Sequence, residues 1–547
     1  MAISVNEKDL SWYYRQRTTG PLVVYVPGLA TWGPENEPTL CDSTNFVETF
    51  GPRPVSDSSA QDISYNLATS YIKAGYQVLF HRIKLDSTAK ASVSLNDGNE
   101  TVADQAVITF TAAYSGSFGN SLKLKVTKDA TVIIPGTSNK AGRYYIIVYN
   151  TDGDVLDSVT VDTLDPSSQY YYDAEDLSKY IQVTVNTNWN ETAYTTITPS
   201  ADYLALTGGV DGVQTSTSLY AQAVAKMKTK DSANKYTFIE GLDDPYLYTY
   251  DIVTCGGFNE YSSDSNPTIS AIYDIDAMFK GLADMYKRCI YLIDGGVNWS
   301  HTVLFNYVGL FNSSSCACYG PWGYQQFLST GNTKLLPGSY TFLLAWMNSI
   351  LNGNPVWVSP AGVKRATLGS WYRKPKYEID KATLEEWQGQ EFSTSKSHKV
   401  NPIMRLRDYG YVIYGDDTTL KPAPDGKTSA LQSLSTRVLS NLIKNRAFEI
   451  SLSLQFDQMA NELYVQFRTL LGQYLDELKY QNAISGYSIS PANGETVSYT
   501  SINERKVPVI IRISPVLSVK DFDITLEIHQ AGITFNDEGN AVEGVIE

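Results

Sequence analysis

The sequence predicts a multidomain α/β and α+β protein with an all-β insertion, and three observations carry that reading. At 547 residues the chain exceeds what one core can hold, since single cores stop growing near roughly 250–300 residues. Strand-like apolar runs alternate with helix-like stretches on both sides of a segment that holds only short β-prone runs. The C-terminal part joins two helical apolar stripes to two strict strand alternations.

Residues 1–20 are polar but carry Trp12, Tyr13 and Tyr14, followed by Arg15 and Arg17, and read as an arm. The run LVVYV, residues 22–26, predicts a buried strand that ends at Pro27-Gly28. TWGPENEPTLCDSTNFVETFG then reads as a loop and a short helix with Ser43 as its candidate cap. Residues 63–74 predict a helix, and YQVLFHRI a strand. Over residues 88–205 the runs AVITFTA, LKLKV, YYIIVYN, DSVTVD and YIQVTV, divided by turns such as Asp152-Gly153, predict the all-β insertion. The α/β domain is therefore discontinuous, 21–87 and 206–425. In its second part residues 217–228 and 277–286 predict helices. Residues 236–240, CIYLID, HTVLFNYVGLF, PVWVSP and YGYVIYG predict strands.

A C-terminal α+β domain is expected over 426–535. Leu431, Leu434, Val438 and Leu442 form its first helical stripe, and Leu463, Phe467, Leu471, Leu475 and Leu478 lie in the second. Val507, Val509, Ile511 and Ile513 alternate as in a strand with one buried face, and so do Phe522, Ile524, Leu526 and Ile528. Residues 536–547 are Gly-rich and acidic and are expected to be a mobile tail.

Composition excludes several classes. Hydrophobic residues at 43% and charged residues at 18% describe a folded chain. A net charge of −15 opposes wrapping of nucleic acid, which needs clustered Lys and Arg. Five irregularly spaced cysteines do not suggest a disulfide framework. The polar start lacks the apolar core of a signal peptide, and no run of about 18 apolar residues occurs. Synthesis in a reducing cytoplasm, without membrane insertion, is expected.

No motif for chemistry emerges. The histidines, His81, His301, His398 and His529, have no recognisable nucleophile beside them. SGSFG, residues 115–119, has its glycines two residues apart rather than three, so it is not a nucleophile elbow. Cys316 and Cys318 lack a second ligand pair for zinc and read as small buried side chains. Asp152, Asp154 and Asp157 lack the Gly and Glu of a calcium loop. No phosphate-binding glycine loop is present. An assembly protein, not an enzyme, with no cofactor and no metal, is the expectation. A secreted adhesin and a hydrolase are the competing classes; the first needs a secretory signal, the second Ser, His and Asp in one cleft.

Several stretches, in order, resemble the contractile tail sheath protein family of bacteriophages and related injection systems. They are TWGPENEPTLCDSTNFVETFG, GYQVLFHRI, YSGSFGNSLKLKV, LTGGVDG, RCIYLIDGG, YGPW, VSPAGVKRATLGSWYRKP and the final helix pair with its strands. The resemblance implies a central subtilisin-like α/β domain and terminal arms that exchange strands between subunits. It implies a sheath of stacked hexameric rings around a tail tube, contracting to drive the tube through a host envelope. Partners would be further copies of the chain, the tube protein, and baseplate and tail terminator proteins, with no direct nucleic-acid contact. The location would be the tail of a virion. A bacteriocin-type or secretion-type injection system is the alternative. Trp12, Tyr13, Tyr14, Phe522, Ile524, Leu526 and Ile528 would link subunits, and Lys444 and Arg446 would face the tube.

Overall fold

The structure, a computed structural model, describes residues 22–53, 60–96, 106–128, 143–162, 169, 178–185, 202–213, 218–260, 265, 267–388, 400–423, 425–456, 461–491, 506–517, 533–535 and 541–543. The chain divides into two compact units, Met1–Phe456 and Asp457–Glu547.

The first unit opens with β1 (Val23–Gly28), β2 (Pro38–Cys41), α1 (Phe46–Phe50), α2 (Ala60–Ala74) and β3 (Gln77–Arg82). A β-rich stretch follows: β4 (Ser92–Asn96), β5 (Ala106–Ala112), β6 (Lys123–Lys128), β7 (Arg143–Tyr149), β8 (Val155–Asp162), β9 (Ile181–Val185) and β10 (Leu204–Ala205). Next come α3 (Leu219–Met227), β11 (Ile252–Val253), α4 (Asp274–Tyr286), β12 (Ile290–Ile293), α5 (His301–Val308) and β13 (Cys316–Gly320). They are followed by β14 (Gly323–Gln326), β15 (Thr333–Leu336), α6 (Gly338–Leu351), α7 (Gly362–Ala366), β16 (Tyr372–Pro375), α8 (Lys381–Gln388), β17 (Asn401–Leu406), β18 (Gly410–Ile413) and α9 (Leu434–Ser453).

Eight strands form the central sheet in the order β18-β17-β13-β12-β11-β1-β3-β2. From β17 to β3 neighbouring strands run parallel, and β18 and β2 are antiparallel edges. Strand alternation sends side chains to two cores. Val24, Val26, Val78, Phe80, Ile252, Leu292 and Ala317 face one, where α2 and α6 pack. Tyr25, Leu79, Val253, Tyr291, Ile293, Cys316 and Cys318 face the other, where α3, α4, α5 and α8 pack. The Cys-x-Cys spacing is thus the period of a buried strand, with both thiols inside. Helix α6 is buried on nearly every side, which is why its sequence is apolar all round rather than striped.

The β-rich stretch folds as two sheets, β4-β5-β9 and β10-β6-β7-β8, enclosing a third core of Ile108, Phe110, Leu124, Ile146, Val148 and Val161. Trp32 joins this core although it belongs to the loop after β1.

In the second unit α10 (Asn461–Tyr480) precedes the antiparallel pair β19 (Ile484–Pro491) and β20 (Val509–Pro515). Phe467, Leu471, Leu475 and Leu478 are buried, and Tyr464 donates to the Ile489 carbonyl.

Several expectations change. HTVLFNYV is helix α5, because Ser300 caps it by accepting from the Val303 amide, and Leu304, Tyr307 and Val308 then bury one face. Residues 236–240 hold a single 3₁₀ turn, Thr237–Ile239, and PVWVSP is a turn. The unit boundary falls at 456/457, inside the stretch 426–535 expected as one domain. The reason is α9, whose Leu434 and Val438 belong to the first unit's core. Within the stretch expected to be a mobile tail, Ala541–Glu543 pairs antiparallel with Ile533–Phe535.

Candidate functional site

Three polar or aromatic constellations stand out among the described residues. The first lies where the β-rich stretch leaves and rejoins the central sheet. Ala89 bridges Val210 and Ser92 bridges Thr207, both antiparallel, so the two connecting segments run side by side. Arg82, at the end of β3, is buried and donates to the carbonyls of Ala30, Gly33 and Ser115 at 3.2, 2.8 and 2.8 Å. Glu35 accepts from the Ser115 amide at 3.0 Å and pairs with Lys84. Burial pushes the Glu35 carboxyl up, but donors on Lys84 and Ser115 and the Arg82 charge outweigh it and hold the group below its usual range. Asp211 takes the amide and hydroxyl of Ser117, both at 2.6 Å, and Asn120 and Gly209 exchange two hydrogen bonds. Trp32 closes the neck, edge-on to Tyr114 and Phe118 and stacked on Tyr180. TWGPENE, SGSFGN and LTGGVDG are therefore the three segments of one junction, held together by Arg82, Glu35, Asp211 and Asn120. The arrangement fixes the β-rich stretch to the central sheet.

The second constellation is buried at the ends of the parallel strands. Asp294 follows β12 and accepts from the amide and hydroxyl of Ser339, at 3.2 and 2.9 Å, in the first turn of α6. The Cys255 thiol donates to it at 3.4 Å. Burial raises the Asp294 carboxyl to about 7, against the opposing Ser339 bonds. Nearby, Asp276 accepts from the hydroxyls of Tyr291 and Tyr307. Among the described residues no histidine takes part. His81 sits elsewhere, its Nδ1 2.8 Å from the Tyr25 hydroxyl and its ring stacked on Phe238, and burial lowers it to about 4. The carboxylates here brace strand ends and helix starts. Among the described residues no group of three His, Cys, Asp or Glu side chains could hold a metal, and no helix is long and apolar enough to cross a membrane.

The third is a cationic and aromatic face around α9. Arg437 is buried and solvated by neutral acceptors: the Lys287 carbonyl at 3.0 Å, Asn441 Oδ1 at 2.6 Å and Ser314 Oγ at 3.3 Å. Lys444 is exposed and forms no ion pair among the described residues. Burial of its stem, with Arg437, Lys287 and Arg288 nearby, lowers it to about 8. Arg446, by contrast, is largely buried and paired with Glu449 at 3.4 Å. The two residues read together in the sequence thus differ: one is an available charge, the other a tethered one. Periodicity could not separate them, because it does not report which acid stands one turn away. Trp12, Tyr13, Tyr14, Phe522, Ile524, Leu526 and Ile528 lie outside the described residues.

No family model and no curated protein matches this chain. Solved structures do. The sheath tail protein from Listeria innocua is 15% identical over 92% of this chain and 97% of that one, with a TM-score of 0.54. A sheath tail protein from Desulfitobacterium hafniense is 13% identical over 94% of this chain and 100% of that chain, at a TM-score of 0.47. The sheath of an extracellular contractile injection system in its contracted state is 15% identical over 54% and 73%, at 0.39. The Listeria protein and this chain share a fold along nearly their whole length.

Proposed function

We propose that this chain is the repeating subunit of a contractile tail sheath, and that it acts by assembly rather than by catalysis. The observation that carries the reading is the end-to-end fold correspondence with a sheath tail protein, 92% of one chain on 97% of the other. Such agreement of two chains over several domains in one order is more specific than a shared single domain. The motif order in the sequence supports it. So does the chemistry of the buried clusters, whose carboxylates and guanidiniums are engaged in holding elements together.

In this reading subunits stack as hexameric rings around a tail tube in a phage tail, attached to a baseplate and closed by a terminator. Contraction drives the tube through the host envelope. The β-rich module is an outer decoration, and the segments flanking the fold at both ends link neighbours by adding strands to their sheets. Electron microscopy of the purified protein, with and without a tube, is the test. Hollow striated cylinders are expected, and they should form in the presence of a chelator and without nucleotide. A chain that stays monomeric at high concentration and ignores the tube would remove the reading. Capsid and DNA-packaging genes beside this one would place it in a phage; their absence from an otherwise complete tail cluster would favour a bacteriocin-type machine.

A further inference from the structure

Strands β1, β11 and β12 are parallel, so they begin on one edge of the central sheet. At that edge lies a groove of about 240 Å³ walled by the segment before β11, the end of α4 and one side of α9. Its lining is aromatic and open. Tyr246 is 66% exposed and Tyr286 is 49% exposed. The ring of Phe448 lies 5.5 Å from that of Tyr246. The Arg288 guanidinium stands 3.9 Å over Phe448 and 6.0 Å from Tyr286, linking the rings into one continuous surface. Leu452 borders it and is exposed too. Exposed rings beside polar groups in one concave surface offer the mixed apolar and hydrogen-bonding contact that docking segments use.

The chain enters the fold beside this groove. The Val23 amide donates to Asp251 Oδ2 at 3.0 Å, and the Asp251 amide returns a bond to the Val23 carbonyl at 2.9 Å. Tyr250, one residue earlier, lines the groove and its ring is 6.1 Å from that of Tyr25. Residues 1–21 therefore join the described fold about one strand spacing, ~5 Å, from the groove wall. Trp12, Tyr13 and Tyr14 precede Val23 by nine to eleven residues, which in full extension span at most about 30–40 Å. Reach is no obstacle. Arg15 and Arg17 follow the aromatic triplet, and Asp243 on the groove wall offers them a counter-charge.

We propose that this groove is the docking site for the chain's own residues 1–21, which the free subunit holds in cis through Trp12, Tyr13 and Tyr14. Docked there, the segment is withheld from other copies, and its release controls when association begins. The proposal concerns the free chain and stands or falls apart from the sheath reading.

A photo-cross-linking amino acid in place of Tyr246 tests it, in full-length chain at low concentration. Equal amounts of ¹⁴N- and ¹⁵N-labelled chains are mixed before irradiation. Cross-links to peptides of residues 1–21 are expected, in like-isotope pairs only. They should disappear when Trp12, Tyr13 and Tyr14 are all changed to Ala. Mixed-isotope pairs would assign the groove to a second copy and overturn cis docking, as would cross-links only to another segment or none at all. A second measurement needs no probe in the groove. Hydrogen exchange of residues 242–250 should quicken about threefold or more in a chain lacking residues 1–20; unchanged exchange would overturn the proposal.

Discussion

A carboxyl group without water must either give up its charge or find donors inside the protein, and Asp294 is pulled both ways. Its folded value of about 7 lies above the ordinary value near 3.9. Between about pH 4 and pH 7 the native state thus holds a proton that the unfolded state has lost. The stabilisation from Asp294 is complete below pH 4, fades as pH rises and is gone above about 7. Over the window this amounts to about 4 kcal/mol. In Asp294→Asn this slope should vanish. Urea unfolding of both proteins from pH 4.5 to 7.5 checks it, and a stability difference that does not change with pH would contradict it. At Arg437 the physics differs, since neutral acceptors alone solvate a buried charge. Arg437→Leu strands the Lys287 carbonyl and the Asn441 amide oxygen and should cost about 2–4 kcal/mol. Thermal unfolding measures it, and a midpoint within a degree of the parent would show those acceptors find other donors.

Elements were legible where length and period agreed. YQVLFHRI gave β3 and the stripe from Phe467 to Leu478 gave α10, because alternation and helical spacing are unambiguous over such stretches. HTVLFNYV was misleading, since a short apolar run fits a buried strand or a buried helix equally, and the Ser300 cap decides. The central sheet's two-faced pattern was visible in VVYV, but the pairing of β1 with β11 was not, because nothing local encodes a partner so far along the chain. Of the candidate sites, the neck was visible as motifs and not as a junction, since Trp32, Ser115 and Asp211 meet only in three dimensions. Two predictions belong at this scale. Gly116 has φ of +125°, and a Cβ there would lie 2.0 Å from the Thr31 carbonyl oxygen. Gly116→Ala should cost about 3 kcal/mol and speed proteolytic cutting of the module, and an unchanged cleavage rate would argue against strain at the neck. Because Ser92 and Thr207 face each other, an Asn-Gly turn can join them directly in place of the module. With Trp32→Gln removing the ring left bare, the shortened chain should remain soluble and monodisperse. Aggregation despite that change would mean that the central sheet depends on the module.

At the scale of the molecule, charge is the dominant surface property, −15 overall, and the cations around Lys444 are an exception to it. If that face meets an acidic tube, Lys444→Glu should weaken tube-templated assembly most at low salt, the difference shrinking as ionic strength rises. Arg446→Glu should act instead through its Glu449 pair and show little salt dependence. Equal salt profiles for the two, read by sedimentation, would contradict the distinction. The long-range pairing of β1 also has a consequence for synthesis. Val23 and Asp251 are 228 residues apart, and at 5–20 residues per second the ribosome needs roughly 10–45 s to deliver the second after the first. Through that interval β1 has β3 on one side and an open edge on the other, a surface that invites pairing with other nascent chains. The β6-β7-β8 hairpins, formed from near neighbours, can fold while the edge waits. The inserted module is therefore finished before the domain that carries it, and a nascent chain stalled short of residue 251 should be the form that chaperones hold longest.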